Sequence, residues 1–182
     1  MLFRSLRLRR SANLWAATRL DTRPPKIAAA TNRTTRTTAQ AKGEYDTVEF
    51  IGKLQAINQV IYNRQLALFY ANHNLHLEKS LEMAQKELEN RKDIYAYDTD
   101  AWALYKNHRY SEAAQMIKEA MKLGTRDAML YYHAGMIYRS LSEETQAAQM
   151  LSEALTINPH FDLLQAPIAR GTLIDLYAER KG

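Results

Sequence analysis

Apolar and small residues recur along the second half of the chain at three- and four-residue intervals, the period of helices that each bury one face. From Ile94 onward two stretches superpose at an offset of 34 residues. Tyr97, Ala101, Leu104, Ala113, Ile117 and Ala120 in the first match Tyr131, Gly135, Tyr138, Ala147, Leu151 and Ala154 in the second, which Pro159 closes. Each stretch predicts two helices joined by a short turn. The small residues Ala101, Ala113 and Ala120, then Gly135, Ala147 and Ala154, let paired helices approach closely where their axes cross. The larger residues beside them fill the flanks, so each hairpin buries one stripe against its partner helix and another against the next hairpin.

Boundary residues agree with that reading. Asp93 and Asp127 are placed to cap the first helix of each unit, and Ser111 and Ser142 the second. Gly124 and the Asn158-Pro159 pair end the second helices. His108 stands where a turn usually has glycine, which predicts a left-handed backbone there. A degenerate unit over 60–93 precedes the two clear ones at 94–127 and 128–161. Leu66, Ala67 and Tyr70, then Ser80, Leu81, Ala84 and Leu88, fit the same template with one extra residue between Ala71 and His76. Before it, 44–58 reads as an orphan second helix, with Val48, Ile51 and Leu54 at helical spacing. After the units, 162–182 reads as a C-terminal capping region whose helix spans Pro167 to Arg180, since a stack needs a polar end.

The 34-residue period and its small and aromatic positions resemble the tetratricopeptide repeat (TPR) pattern, with Asp100 and Thr125 departing from its usual Leu and Pro. From Glu44 to about Gln165 the wording, including LALFYANHNLHLE and DIYAYDTDAWALYKN, is similar to the C-terminal arm of longer bacterial TPR proteins of undefined role. The resemblance implies an all-α fold: a short TPR solenoid of stacked antiparallel helix pairs. It also implies a concave groove lined by the first helices, in which a protein or peptide partner lies. Carried onto this chain, the groove positions are Tyr95, Asp98, Trp102, Tyr105, Lys106, Met129, Tyr132, Met136 and Arg139. Such a surface is aromatic and rich in Met, suited to an apolar or amphipathic peptide, with Trp102, Tyr105 and Tyr132 as the main contacts. The competing expectation is that Trp102 and its neighbours are covered by the chain's own leader or cap, or by a second subunit. A subset of TPR modules clamps a terminal carboxylate with Lys and Asn, but the corresponding places hold Arg64, Leu68, Thr99, Met129 and His133, which make no such clamp.

Composition narrows the function classes. Gly 6 and Pro 4 in 182 residues leave little turn material for a many-stranded fold, and Cys 0 removes disulfides, thiolate metal sites and a cysteine nucleophile. The net charge of +5 is unevenly placed. Of the 25 basic residues ten lie in 1–42, against one of the 20 acids, so 43–182 hold 15 and 19 and carry −4. Nucleic acid is therefore not expected as a partner. The leader, 1–42, is rich in Arg, Ser, Thr and Ala and resembles a mitochondrial or plastid transit peptide, the alternatives being a disordered basic tail on a cytoplasmic protein or a leader not native to the fold behind it. No apolar run is long enough for a membrane span.

Catalytic chemistry has one foothold, the run His73-x-x-His76-x-Glu78, which offers two imidazoles and a carboxylate in the manner of a zinc site. It lies in an inter-helix turn, where polar residues need no special cause, and no third histidine is near. No phosphate loop, nucleophile elbow or metalloprotease helix is present. The expectation is a non-catalytic interaction module with no metal or cofactor. The runner-up is a self-assembling structural protein that fills the gap beside the orphan helix 44–58.

Overall fold

The computed structural model describes residues 38, 40–53 and 64–179. These residues form helices and short turns with no strand among them, so the fold is all-α. The chain divides into a unit Met1–Asp46 and a unit Thr47–Gly182. Most of the expected leader lies outside the described residues, as do 54–58 of the orphan helix and 60–63 of the degenerate unit. The leader's last positions, 40–42, are helical. The first helix, α1 (40–53), thus begins before residue 44, because Gln40, Ala41 and Lys42 are good helix formers that extend it at little cost. It is followed by α2 (Arg64–His73), α3 (Leu77–Asn90), α4 (Ile94–Lys106), α5 (Tyr110–Met121), α6 (Ala128–Ser140), α7 (Glu144–Ile157) and α8 (Gln165–Glu179).

The pairs α2/α3, α4/α5 and α6/α7 are joined by three turns of one design, spaced 34 residues apart. Asn74, His108 and Ser142 are left-handed, at φ 54°, 61° and 60°. In each turn the following N–H reaches back across the helix end. Leu75 donates to the Tyr70 carbonyl (2.9 Å), Arg109 to Leu104 (3.0 Å) and Glu143 to Tyr138 (2.9 Å). This is the six-to-one closure that satisfies an orphan carbonyl at a helix C-terminus. The extra residue of the degenerate unit is His76, itself left-handed at φ 41°, inserted between the turn and the start of α3.

Asp93 caps α4 by accepting from the Ala96 N–H (2.9 Å), and Asp127 caps α6 by accepting from Met129 (2.8 Å) and Leu130 (3.1 Å). Ser111 and Ser142 are not caps. The left-handed turn runs straight into the next helix, so Ser111 falls inside α5 after Arg109, and Ser142 carries the positive φ while Glu143 precedes α7. An N-cap needs extended backbone, which neither position has. The capping helix starts at Gln165, ahead of Pro167. Asp162 Oδ1 accepts from Leu164 (2.7 Å) and Gln165 (2.8 Å), leaving Pro167 in the first turn, where its missing N–H costs nothing.

The core runs along the pair interfaces. Ala101, Ala113, Ala120, Ala147 and Ala154 are fully buried. Gly135 is buried, and a Cβ placed on it lies 2.6 Å from Leu151 Cγ and 3.2 Å from the Leu151 backbone nitrogen, so α6 and α7 touch nearly backbone to backbone. Ser80 does the same for α2 and α3 through a hydrogen bond to the Ala67 carbonyl (2.7 Å). Pro159 does not share in this packing. It is exposed after the end of α7, and its carbonyl accepts from Arg170 (2.7 Å).

Candidate interaction surface

The nine groove positions all lie on α4 and α6, but at three different depths. Trp102, Tyr132 and Asp98 are buried, at 1%, 2% and 6% exposure. Tyr105, Lys106, Met129, Met136 and Arg139 are half-buried, and Tyr95 is exposed. Trp102 and Tyr132 are therefore not surface anchors for a partner. The chain's own segments cover them.

Trp102 shows how. Its indole N–H donates to Asn72 Oδ1 (2.7 Å) near the end of α2. One stacking partner is the His133 ring of α6, 4.1 Å between centroids and 16° from parallel, and another is Tyr105, 4.7 Å away and 10° from parallel. Lys106 Nζ stands 5.0 Å from the indole centroid and donates to Asn74 Oδ1 (2.9 Å). Tyr132 packs against Phe161, from the segment before α8, at 5.3 Å. Thus the turn after α2 and the approach to the cap close over the aromatic centre of the first helices. Asn72 and Asn74 carry that closure, and the sequence offered only a weak signal for them: polar residues beside an inter-helix turn.

At the centre His133 is fully buried, and its Nδ1 bonds to Asp98 Oδ1 (2.8 Å). Its Nε2 has no partner. The pair ties α6 to α4 across the boundary between two units. Burial raises the Tyr132 and Tyr105 hydroxyls above the ordinary tyrosine range and lowers Lys106. His73 is lowered by burial and, in part, by the Lys106 charge, against an opposing effect of Asp162. Asp100 is buried with Oδ1 unpartnered; desolvation pushes its carboxyl up to about 6, with Arg109 opposing and Glu112 adding to the shift.

The two histidines of the metal reading have separate surroundings. His73 packs on Phe69 at 4.5 Å, whereas His76 Nε2 bonds to Glu49 Oε1 (3.0 Å) and meets the Tyr70 ring edge-on at 5.1 Å. No group of three or more potential ligands gathers among the described residues.

What is left accessible is narrower than the nine positions. Tyr95 lies 5.1 Å from the Arg64 guanidinium. Beside it opens a concavity of about 640 Å³, walled by Ile94, Tyr95, Tyr97 and Leu123 and rimmed by Lys92 and Lys122. Leu123, 80% exposed, sits there with no cover. The sequence pattern alone did not single out this hollow, because it forms between the start of α4 and the end of α5, whose residues are far apart in the repeat template. Comparison with protein-family models, curated proteins and solved structures gives no match. Among the described residues no helix is long and apolar enough to cross a membrane.

Proposed function

We propose that the chain is a TPR-type, non-catalytic interaction module that holds a short apolar or amphipathic peptide against the exposed edge of its first helices. The observation that carries this reading is the 34-residue recurrence of the left-handed turns at Asn74, His108 and Ser142, each with the same closing hydrogen bond. A rigid stack of equal hairpins presents its first helices side by side, and such surfaces serve recognition better than chemistry. Tyr95, Met129 and Met136, with the hollow beside Tyr95, supply apolar contact area; Lys106 and Arg139 supply charge at the edge. Methionine adapts to several side chains, and tyrosine adds area at little entropic cost.

Selection from a displayed peptide library against the full chain tests the reading. The selected peptides should be enriched in Leu, Phe or Trp at helical or alternating spacing. Tyr95→Ala and Met136→Ala should each weaken them about tenfold, the size of one interface contact, with unchanged far-ultraviolet circular dichroism. Peptides that bind both variants as well as the parent refute the assignment of this surface.

A further inference from the structure

α8 is apolar on two opposite faces. On one, Ala166, Ala169 and Leu176 are buried and Leu173 packs against the core. The other carries Pro167, Ile168, Gly171, Ile174 and Ala178, continued by Leu164 in the turn just ahead of the helix, at the three- and four-residue spacing of a single stripe, and every one of them is exposed. Leu164, Ile168 and Ile174 expose 55%, 49% and 68% of their surface. A Cβ on Gly171 meets nothing within 4 Å. Among the described residues nothing covers this second face of α8.

We propose that this face joins two copies of the chain, α8 against α8, antiparallel about a two-fold axis at Gly171. A two-fold axis there brings each residue before Gly171 opposite the one equally far after it. Ile168 then meets Ile174, Leu164 meets Ala178, and the two glycines meet where the backbones come closest. Of the charged residues, Asp175 falls opposite Pro167, Arg170 opposite Thr172 and Glu179 opposite Leu163, so no like charges are brought together. This self-complementarity is what an isologous interface requires and what an unrelated partner has no need of. One helix face per copy lies below the roughly 1,200–2,000 Å² of a standard stable interface, so the dimer is weak, with micromolar dissociation.

The absence of cysteine from the sequence makes the test direct. In Gly171→Cys the added sulfur enters open space, and in the dimer two such sulfurs lie at the axis, within disulfide reach. Under mild oxidation it should form a covalent dimer at least tenfold faster than Leu123→Cys, an exposed thiol off this face. Sedimentation velocity of the unmodified full chain should show a monomer–dimer equilibrium in the micromolar range, and Ile174→Arg should abolish it and slow cross-linking of the cysteine variant, with the thermal melt unchanged. The proposal is overturned by a monomer at about 100 μM, well above the expected dissociation constant, or by cross-linking at position 171 no faster than at 123. A dimer broken by Phe50→Arg but not by Ile174→Arg overturns it as well, placing the interface on α1.

Discussion

Asp100 is the residue whose chemistry least suits its place. It is 3% exposed and leaves one carboxylate oxygen unpartnered. With its carboxyl raised from 3.8 to about 6, the folded chain holds a proton that the unfolded chain has already released across that window. Asp100 therefore weakens folding as pH rises from 3.8 towards 6, and the loss persists above 6. Asp100→Asn should raise stability at about pH 7.5 by roughly 1–3 kcal/mol and leave it unchanged near pH 3.5, as read by urea denaturation at both values. Trp102 teaches a different lesson. Its place on the inner side of α4 was legible from its spacing to Ala101 and Leu104, but its depth was not. Depth is set by Asn72 and His133, which approach from other helices and are 30 and 31 residues away in sequence. Trp102→Ala should accordingly act as a core deletion, destabilising by about 3–5 kcal/mol in the same assay, and any loss of partner capture would follow from unfolding.

At the scale of elements, helix pairing was readable because small residues recur every 34 positions and mark where axes cross. Gly135 is the strictest of them. The α4/α5 pair accommodates Ala101 at the equivalent place, whereas the α6/α7 pair does not, since a methyl group at 135 collides with Leu151. Gly135→Ala should destabilise by about 1–3 kcal/mol despite its better helix propensity, and Gly135→Ala with Leu151→Ala should recover part of that loss in a double-mutant cycle. Helix starts were less legible. Serine is a frequent N-cap, and its presence at 111 and 142 suggested one. The turn geometry overrules this preference, because the six-to-one closure places a left-handed residue two positions ahead of α5 and α7 and leaves Arg109 and Glu143, at ψ 59° and 60°, in the place of the extended cap. The register of the first unit was likewise hidden: the extra residue could have fallen anywhere between Ala71 and His76, and only the backbone shows that the turn keeps its form and His76 absorbs the insertion.

Across the whole molecule, the charge division between the basic residues of 1–42 and the mildly acidic remainder was visible from counting alone. The accessible surface was not readable in the same way. Spacing identifies which face of a helix is shared, but which members of that face reach water depends on turns and caps that fold over them. Two of the three expected aromatic contacts were lost to burial for this reason, and the hollow beside Tyr95 appeared between the start of α4 and the end of α5.

The indole of Trp102 touches or bonds to residues of α2, α4 and α6, and the chain's only other tryptophan is Trp15. Replacing Trp15 with Phe therefore leaves a single indole, read by excitation beyond the tyrosine band, seated among α2, α4 and α6, an optical gauge already installed in the protein. Its emission should be blue-shifted in the native chain and move to longer wavelength on heating with the same midpoint as the far-ultraviolet signal, because the helices it bridges cannot part without wetting it.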